Sequence, residues 1–457
     1  MCGRMAGPQV IPFRAPELGN CSFLIADAES GEAIAVDPFR DIDRYLDRVE
    51  RLGLHITRAV DTHRHNDFVS GCRELAAEIG TAIEPLPAGH MVHLGRWSLK
   101  AIATPGHTPD HLGYVLIDGD RPLALFSGGA LMVGGIARTD LFGPHLAVHL
   151  ALEAYRTLKV RLRSLPDDVA VYPTHGAGSF CGTATSSGHE STMGRERESN
   201  PFFTNDELMP FIARALQVPR YPDYYRDMAE INRQGASLLG RHLPEPRPLK
   251  PFQVETLTRE RKAAIVDLRP PAEYDATHVL GSYSIALRGG AFSAWVGWLI
   301  ERTRPIVLAG LDASAAAEAN RQLLRIGYDQ VAGHLEGGIE AWAAAGLPTA
   351  SFEHADIEDL ATWVLSAEPM TVVDARADEE WVHGHVPGAV HLYVPDIEHH
   401  AQELPREAPV AVHCLSGYRA AIAASLLEQA GFPRIIRVAG HFTEWETELR
   451  LAETIPG

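Results

Sequence analysis

The stretch Val410-Ala411-Val412-His413-Cys414-Leu415-Ser416-Gly417-Tyr418-Arg419 decides how this chain is read. A short, mostly apolar run leads into a cysteine, then a brief loop closed by arginine, then a helix-forming segment near Ala420. That order predicts a strand ending on Cys414. Loop N–H groups and the N-terminus of the following helix would then point at the sulfur and favour negative charge there. Spacing separates two chemistries: a Cys-x4-Arg loop is sized for a sulfur atom, whereas Cys-x5-Arg would hold a phosphate. The short loop points to sulfur transfer.

Further residues belong with it: Asp374-Ala375-Arg376, Glu380-Trp381 and His385-Val386-Pro387-Gly388-Ala389 upstream, Gly431-Phe432 and Trp445 downstream. Together they resemble a rhodanese domain over roughly residues 355–457. The resemblance implies that Cys414 carries a persulfide between a donor and an acceptor, a low-molecular-weight thiol or persulfide, or thiosulfate. It implies Arg419 as the loop-closing anion contact, with Leu415, Ser416, Gly417 and Tyr418 completing the active-site loop. For Asp374, Arg376 and His385 a structural role is expected, a turn held by an Asp–Arg pair and a satisfied histidine.

The pattern occurs twice, and a repeat shapes every later assignment. From Asp267, a glutamate, a histidine and a glycine follow at offsets 6, 11 and 14 (Glu273, His278, Gly281); from Asp374 they are Glu380, His385 and Gly388. Counting back 17 from Gly431 reaches Cys414, and counting back 17 from Gly327 reaches Gly310. The strand Pro305-Ile306-Val307-Leu308 is present, but no thiol or Gly-x-Arg follows it. The first copy therefore cannot form a persulfide and reads as a docking or spacer domain. Gly310→Cys alone should not create activity.

In the N-terminal half, Cys21–Ile25 and Ala33–Val36 read as strands, Ile42–Leu52 as an amphipathic helix and Thr57–Asp61 as another strand. Three histidine-bearing loops follow apolar runs: Thr62-His63-Arg64-His65-Asn66-Asp67-Phe68, Thr104-Pro105-Gly106-His107-Thr108-Pro109-Asp110-His111, and Tyr172-Pro173-Thr174-His175-Gly176-Ala177-Gly178. Three such loops at strand ends point to a metal site. This half resembles the metallo-β-lactamase superfamily over roughly residues 10–200. Ala137-Arg138-Thr139-Asp140-Leu141 and His175-Gly176-Ala177-Gly178-Ser179 look like persulfide dioxygenases and their rhodanese fusions, and Tyr221-Pro222-Asp223-Tyr224 with Asn232-Arg233-Gln234-Gly235 resembles their linker. The resemblance implies oxidation of a persulfide such as glutathione persulfide to sulfite at one non-haem iron.

Two positions depart from that pattern. Phe68 stands where the superfamily has a histidine, and Gly129, within Ser127-Gly128-Gly129-Ala130-Leu131, stands where it has a ligand aspartate. The dioxygenase ligands would fall on His63, His107 and Gly129, so one is missing. A compensating set of His63, His65 and His107 is expected, with Asp67 or His175 as further contacts. It would hold one Fe(II), with Zn(II) or no metal as alternatives, and never two ions. Gly129→Asp is expected to tighten binding.

The 457 residues are long enough for several cores. The expected class is α/β: an αββα metallo-β-lactamase sandwich with a helical linker at 10–245, then two parallel-sheet rhodanese-like domains at 246–350 and 351–457. Against 59 acidic residues stand 41 basic ones, net −18, with no basic run, which argues against nucleic acid or an anionic membrane as partner. No apolar run reaches membrane-spanning length, and Met1-Cys2-Gly3-Arg4-Met5 lacks the apolar core of a secretory signal. Cys2 resembles an N-terminal nucleophile, but nothing downstream supports that role. Five scattered cysteines (Cys2, Cys21, Cys72, Cys181, Cys414) fit a reducing cytoplasm. The sequence leaves a homo-oligomer open. Three functions remain: a sulfurtransferase coupled to a persulfide oxygenase, a sulfurtransferase whose N-terminal domain only binds thiols or a partner, and a metal-dependent thioester or lactone hydrolase regulated by rhodanese domains.

Overall fold

Strand Asn20–Asp27 is buried at every position, because it has a sheet on one side and helices on the other. The computed structural model describes residues 7–80, 86–182, 188–366 and 369–443, so Cys2 and Trp445 lie outside the described residues. Within the first unit, strands β1 (Gln9–Ala15), β2 (Asn20–Asp27), β3 (Glu32–Val36) and β4 (His55–Val60) form one sheet in chain order. The second sheet holds β5 (Met91–Leu94), β6 (Trp97–Ala103), β7 (Leu112–Asp118), β8 (Arg121–Gly128), β9 (Ala170–Pro173) and β10 (Ser191–Thr192), in the order β10-β9-β8-β7-β6-β5.

Alternation along β2 sorts its side chains. Phe23 and Ile25 join Trp97, Leu99, Tyr114 and Phe126 in the core shared by the two sheets. Leu24 and Ala26 face the other way, onto Tyr45 and Val49 of α1 (Asp43–Leu52) and Leu75 of α2 (Cys72–Ile79). On the outer face of the second sheet, Val115, Leu125 and Val171 meet Ala151 and Ala154 of α3 (Pro144–Arg156). Helix, sheet, sheet and helix thus form the expected four layers, each large buried side chain contributing about 1.5–3 kcal/mol. The loops bearing His63, His107, Gly129 and His175 follow β4, β6, β8 and β9, so all four open at strand C-terminal ends.

The second unit, Glu245–Gln322 with Tyr328–Gly457, contains both repeats; the first comprises Met1–Pro244 with Leu323–Gly327. Strands β11 (Pro248–Leu249), β12 (Ala264–Asp267), β13 (Tyr283–Ser284), β14 (Ile306–Ala309) and β15 (Val331–Leu335) form a parallel sheet in the order β11-β15-β14-β12-β13. Strands β16 (Glu353–Ala355), β17 (Thr371–Asp374), β18 (Val390–His391), β19 (Val410–His413) and β20 (Ile435–Val438) repeat that order as β16-β20-β19-β17-β18. The central strands β12, β14, β17 and β19 are buried throughout, as parallel strands covered on both faces must be.

Both repeats close the β-strand turn in the same way. Arg269 binds Asp267 and the Thr277 carbonyl; Arg376 binds Asp374 and the Gly384 carbonyl. His385 Nδ1 donates to the Trp381 carbonyl at 3.1 Å and its ring stacks on the Trp381 ring at 3.6 Å, a satisfied structural histidine. At the position matching Cys414, Gly310 has φ +91°, and a Cβ there would lie 2.4 Å from Asp267 Oδ1 and 2.7 Å from Arg269 Cγ. The left-handed backbone at Gly310 aims a Cβ at the Asp–Arg pair, whereas Cys414, which has no positive φ, coexists with the same pair in its own repeat.

Candidate functional sites

Each of the three converging histidines has its proton position fixed by a neighbour. Thr62 Oγ1 donates to Asp37 Oδ2 at 2.9 Å, so it accepts from His63 Nδ1 at 2.8 Å. His107 Nδ1 donates to the Arg138 carbonyl at 2.7 Å. His175 Nδ1 faces two acceptors, Asp67 Oδ2 at 3.0 Å and Asn20 Oδ1 at 3.1 Å, so that nitrogen is the protonated one. In all three rings the lone pair is therefore on Nε2. The ligand nitrogens of His63, His107 and His175 lie within 4.8 Å of one another, and all three rings are buried. His107 Nε2 has no hydrogen-bond partner, and His63 Nε2 and His175 Nε2 face each other at 3.2 Å. Burial first, then the neighbouring imidazoles, holds His63 well below its usual pKa and His107 near about 3. Convergent, with the other nitrogen of each ring committed to a neighbour, these three Nε2 atoms suit one divalent cation.

His65, expected beside His63 and His107, lies outside this group and stands instead with Asp67 and His175, and with Asp37 and Asp61. Its Nε2 lies 3.2 Å from Asp37 Oδ1 and 3.7 Å from Asp61 Oδ1. Burial opposes its charge, but the two carboxylates outweigh burial and push its pKa up to about 10. Its Nε2 is thus committed to the Asp37–Asp61 carboxylates and not to the His63–His107–His175 group. Phe68 explains the pose: its ring stacks on His65 at 4.1 Å and packs edge-on against Phe39 at 4.9 Å. The residue that removed one ligand also holds a second aside. Asp67 acts through His175, and its Oδ2 also accepts from Asn20 Nδ2 at 2.6 Å. His175, expected as an accessory contact, stands in the central group.

Sequence reasoning missed several supports. His111 closes the Thr104–His111 turn: its Nε2 accepts the Gly129 N–H at 3.0 Å and its Nδ1 donates to Thr104 at 2.8 Å. Asp37 is buried and gathers Thr62, His65 and Thr174. Arg138 binds Asp140 and the carbonyls of Phe180 and Pro219, and lies over the Tyr221 ring at 4.4 Å. The quoted Ala137–Leu141 segment signalled Arg138; nothing local signalled Asp37 or Asn20.

The structure reverses the expectation for Gly129. A Cβ there would sit 2.7 Å from His107 Cδ2 and 2.8 Å from Ala137 Cβ. Gly129→Asp must therefore displace the His107 ring. Isothermal titration with Zn(II) or anaerobic Fe(II) should show weaker binding than wild type, by about 10-fold or more.

Cys414 is buried at the end of β19, and its Sγ accepts the Gly417 N–H at 3.1 Å. The helix α4 (Tyr418–Gln429) begins immediately after Gly417. Leu415 and Ser416 are exposed at the mouth, and Leu415 fixes the loop by accepting the Phe442 N–H at 2.9 Å. Arg419 is held by both oxygens of Glu380, one at 2.8 Å. Glu380, quoted only as a motif residue, thus orients the loop arginine. Among the other described cysteines, burial pushes Cys21 up to about 11 and Cys72 and Cys181 well above the usual thiol range.

A rhodanese-like domain model matches residues 252–345 and 357–448. The N-terminal half is 31% identical over 200 residues to the mitochondrial persulfide dioxygenase ETHE1 of Homo sapiens, covering 40% of this chain and 72% of that protein. The chain belongs to the persulfide dioxygenase family. In it the metallo-β-lactamase sandwich is fused to two rhodanese-like domains. The fold agrees with a solved metallo-β-lactamase from Staphylococcus aureus subsp. aureus COL, TM-score 0.63 and 29% identity, spanning 72% of this chain and 98% of that one. The hydroxyacylglutathione hydrolase GloC of Haemophilus influenzae is 29% identical over 230 residues, covering 43% of this chain and 98% of that protein. The family and fold imply a metal, and the three imidazole lone pairs fit one. Among the described residues, no helix is long and apolar enough to cross a membrane.

Proposed function

We propose that this persulfide dioxygenase-family protein is an enzyme of sulfane-sulfur metabolism with two coupled activities. Residues 351–457 transfer sulfur through Cys414, residues 10–245 oxidise a low-molecular-weight persulfide of the glutathione persulfide type, and residues 246–350 lack a thiol. The observation that carries this reading is the coexistence in one chain of a loop-held thiol at Cys414 and three convergent imidazole lone pairs.

In transfer, the Cys414 thiolate attacks the outer sulfur of a persulfide or thiosulfate. The donor's S–S bond breaks, the donor leaves as a thiolate or as sulfite, and Cys414 retains the sulfur as a persulfide. An acceptor thiolate then takes that sulfur and regenerates Cys414. Gly417 N–H and the α4 N-terminus steady the negative sulfur, and Glu380 keeps Arg419 at the loop.

The oxidation balances as glutathione persulfide, O₂ and water giving glutathione and sulfurous acid. His63, His107 and His175 would hold one Fe(II), which when bound supplies O₂ activation. Around it, Asp67 and Asn20 orient His175, the Arg138 carbonyl orients His107, and Thr62 orients His63. Among the described residues the four cysteines are free and buried, in accord with a reducing, cytoplasmic setting.

The hydrolase relative favours a second reading, thioester hydrolysis with Zn(II). Phe68 and Gly129 weigh against it, since they remove ligands on which a two-metal hydrolase site would rest. Elemental analysis of protein purified without added metal, with O₂ uptake on glutathione persulfide, separates these readings. Iron near one per chain with O₂ uptake is expected. Zinc with thioester hydrolysis, or no metal and no uptake, overturns the oxygenase assignment.

A further inference from the structure

We propose that the cysteine-less repeat is the positioning element of the Cys414 loop, acting through Tyr418. The inference rests on Cys414 being the sulfur carrier. Helix α4, which starts at the loop, meets the first repeat through three side chains, Tyr418, Ser425 and Glu428. Their spacing of 7 and then 3 residues puts them on one helical face.

Each of the three is bonded to a successive point of one short segment. The Glu428 carboxylate accepts the Gly281 N–H at 2.9 Å and faces His278 Nε2 at 3.1 Å. Ser425 Oγ accepts the Ser284 N–H at 3.2 Å. Tyr418 Oη donates to the Ala286 carbonyl at 2.8 Å. The segment then passes directly against the Tyr418 ring, where a Cβ on Gly290 would lie 2.4 Å from Tyr418 Cζ. A buried pair, Arg437 with Asp275 at 2.6 Å, ties β20 to the same repeat.

Tyr418 lies between the two groups that serve the sulfur. Gly417 before it donates to Cys414 Sγ from a φ of +89°, and Arg419 after it is the loop arginine. A ring seated on bare backbone and anchored by its hydroxyl leaves this tripeptide one position. Moving the ring moves both groups. The first repeat is therefore neither spacer nor separate docking module, but the wall against which the thiol loop is set. Tyr418 is its positioning residue.

The first variant substitutes the wall and leaves the loop itself intact. Gly290 has an ordinary backbone conformation, so Gly290→Ala adds only a methyl group against the ring. In the full-length protein, iodoacetamide alkylation of Cys414 should slow roughly tenfold. Its pH profile should shift to higher pH while the thermal unfolding midpoint stays near wild type, which a merely structural role would not produce. Tyr418→Phe, which removes only the hydroxyl, should slow alkylation by about threefold. In a Tyr418→Leu background, which makes room for the methyl, the Gly290→Ala effect should disappear. Wild-type alkylation in folded Gly290→Ala, or an undiminished effect in the Tyr418→Leu background, overturns the proposal. If Gly290→Ala does not fold, Tyr418→Phe decides, an unchanged rate and profile overturning it. Alkylation reads the thiol without turnover, so this outcome is independent of whether Cys414→Ser abolishes transfer.

Discussion

Cys414→Ser will lower sulfur transfer from thiosulfate or glutathione persulfide by at least about a thousandfold, because serine supplies neither an accessible anion nor a sulfur able to hold the sulfane atom. The fold should be unaffected, since the change is nearly isosteric at a strand end whose neighbours Val412 and Ala420 remain packed. Circular dichroism and the thermal midpoint provide that control. The same thiol should be first of the described cysteines to react with iodoacetamide near neutral pH. Cys21, Cys72 and Cys181 are buried with thiols raised by desolvation, whereas Cys414 faces the Gly417 N–H and a helix N-terminus. Undiminished transfer by the serine variant would end the sulfurtransferase assignment.

The second large effect is expected at the metal centre. His107→Ala, and separately His63→Ala, should reduce bound metal from about one ion per chain to below about a tenth. Persulfide-dependent O₂ uptake should fall in proportion. His175→Ala should do the same, whereas His65→Ala should retain metal, because His65 is turned toward Asp37 and Asp61. Equal loss in the His65 and His175 variants would return His65 to the ligand set. One ion per chain is the expected stoichiometry, because His175 offers a single nitrogen to it, the other being committed to Asp67 and Asn20.

Features fixed by local chain geometry were legible in the sequence. The strand, cysteine, glycine and arginine of the thiol loop lie within ten residues, so spacing alone described them, and the offsets of 6, 11 and 14 from Asp267 and Asp374 anticipated two sheets of identical strand order. The histidine loops were legible for the same reason. Which histidine turns inward was not. That depends on Phe68 stacking against His65 and on Asp37, which is 28 residues earlier and belongs to a different strand end. His175 gave a signal in Thr174-His175-Gly176, but its rank needed Asn20 and Asp67, contacts made across the sandwich. The role of the first repeat was equally hidden: a missing thiol was visible, and the bond from Tyr418 to Ala286, 132 residues away, was not.

The left-handed backbone at Gly310 bears on which sequences lie within reach of this one. A cysteine there would meet the Asp267 carboxylate and the Arg269 side chain, in a backbone conformation that favours glycine. The thiol would have to arrive together with a different backbone conformation at position 310 and a rebuilt Gly-x-Arg loop. Meanwhile the surface of that repeat is committed to Tyr418, Ser425 and Glu428 of its neighbour. The two copies are therefore no longer interchangeable parts: neither can take over the other's work by small steps, and the division of labour between them is locked in.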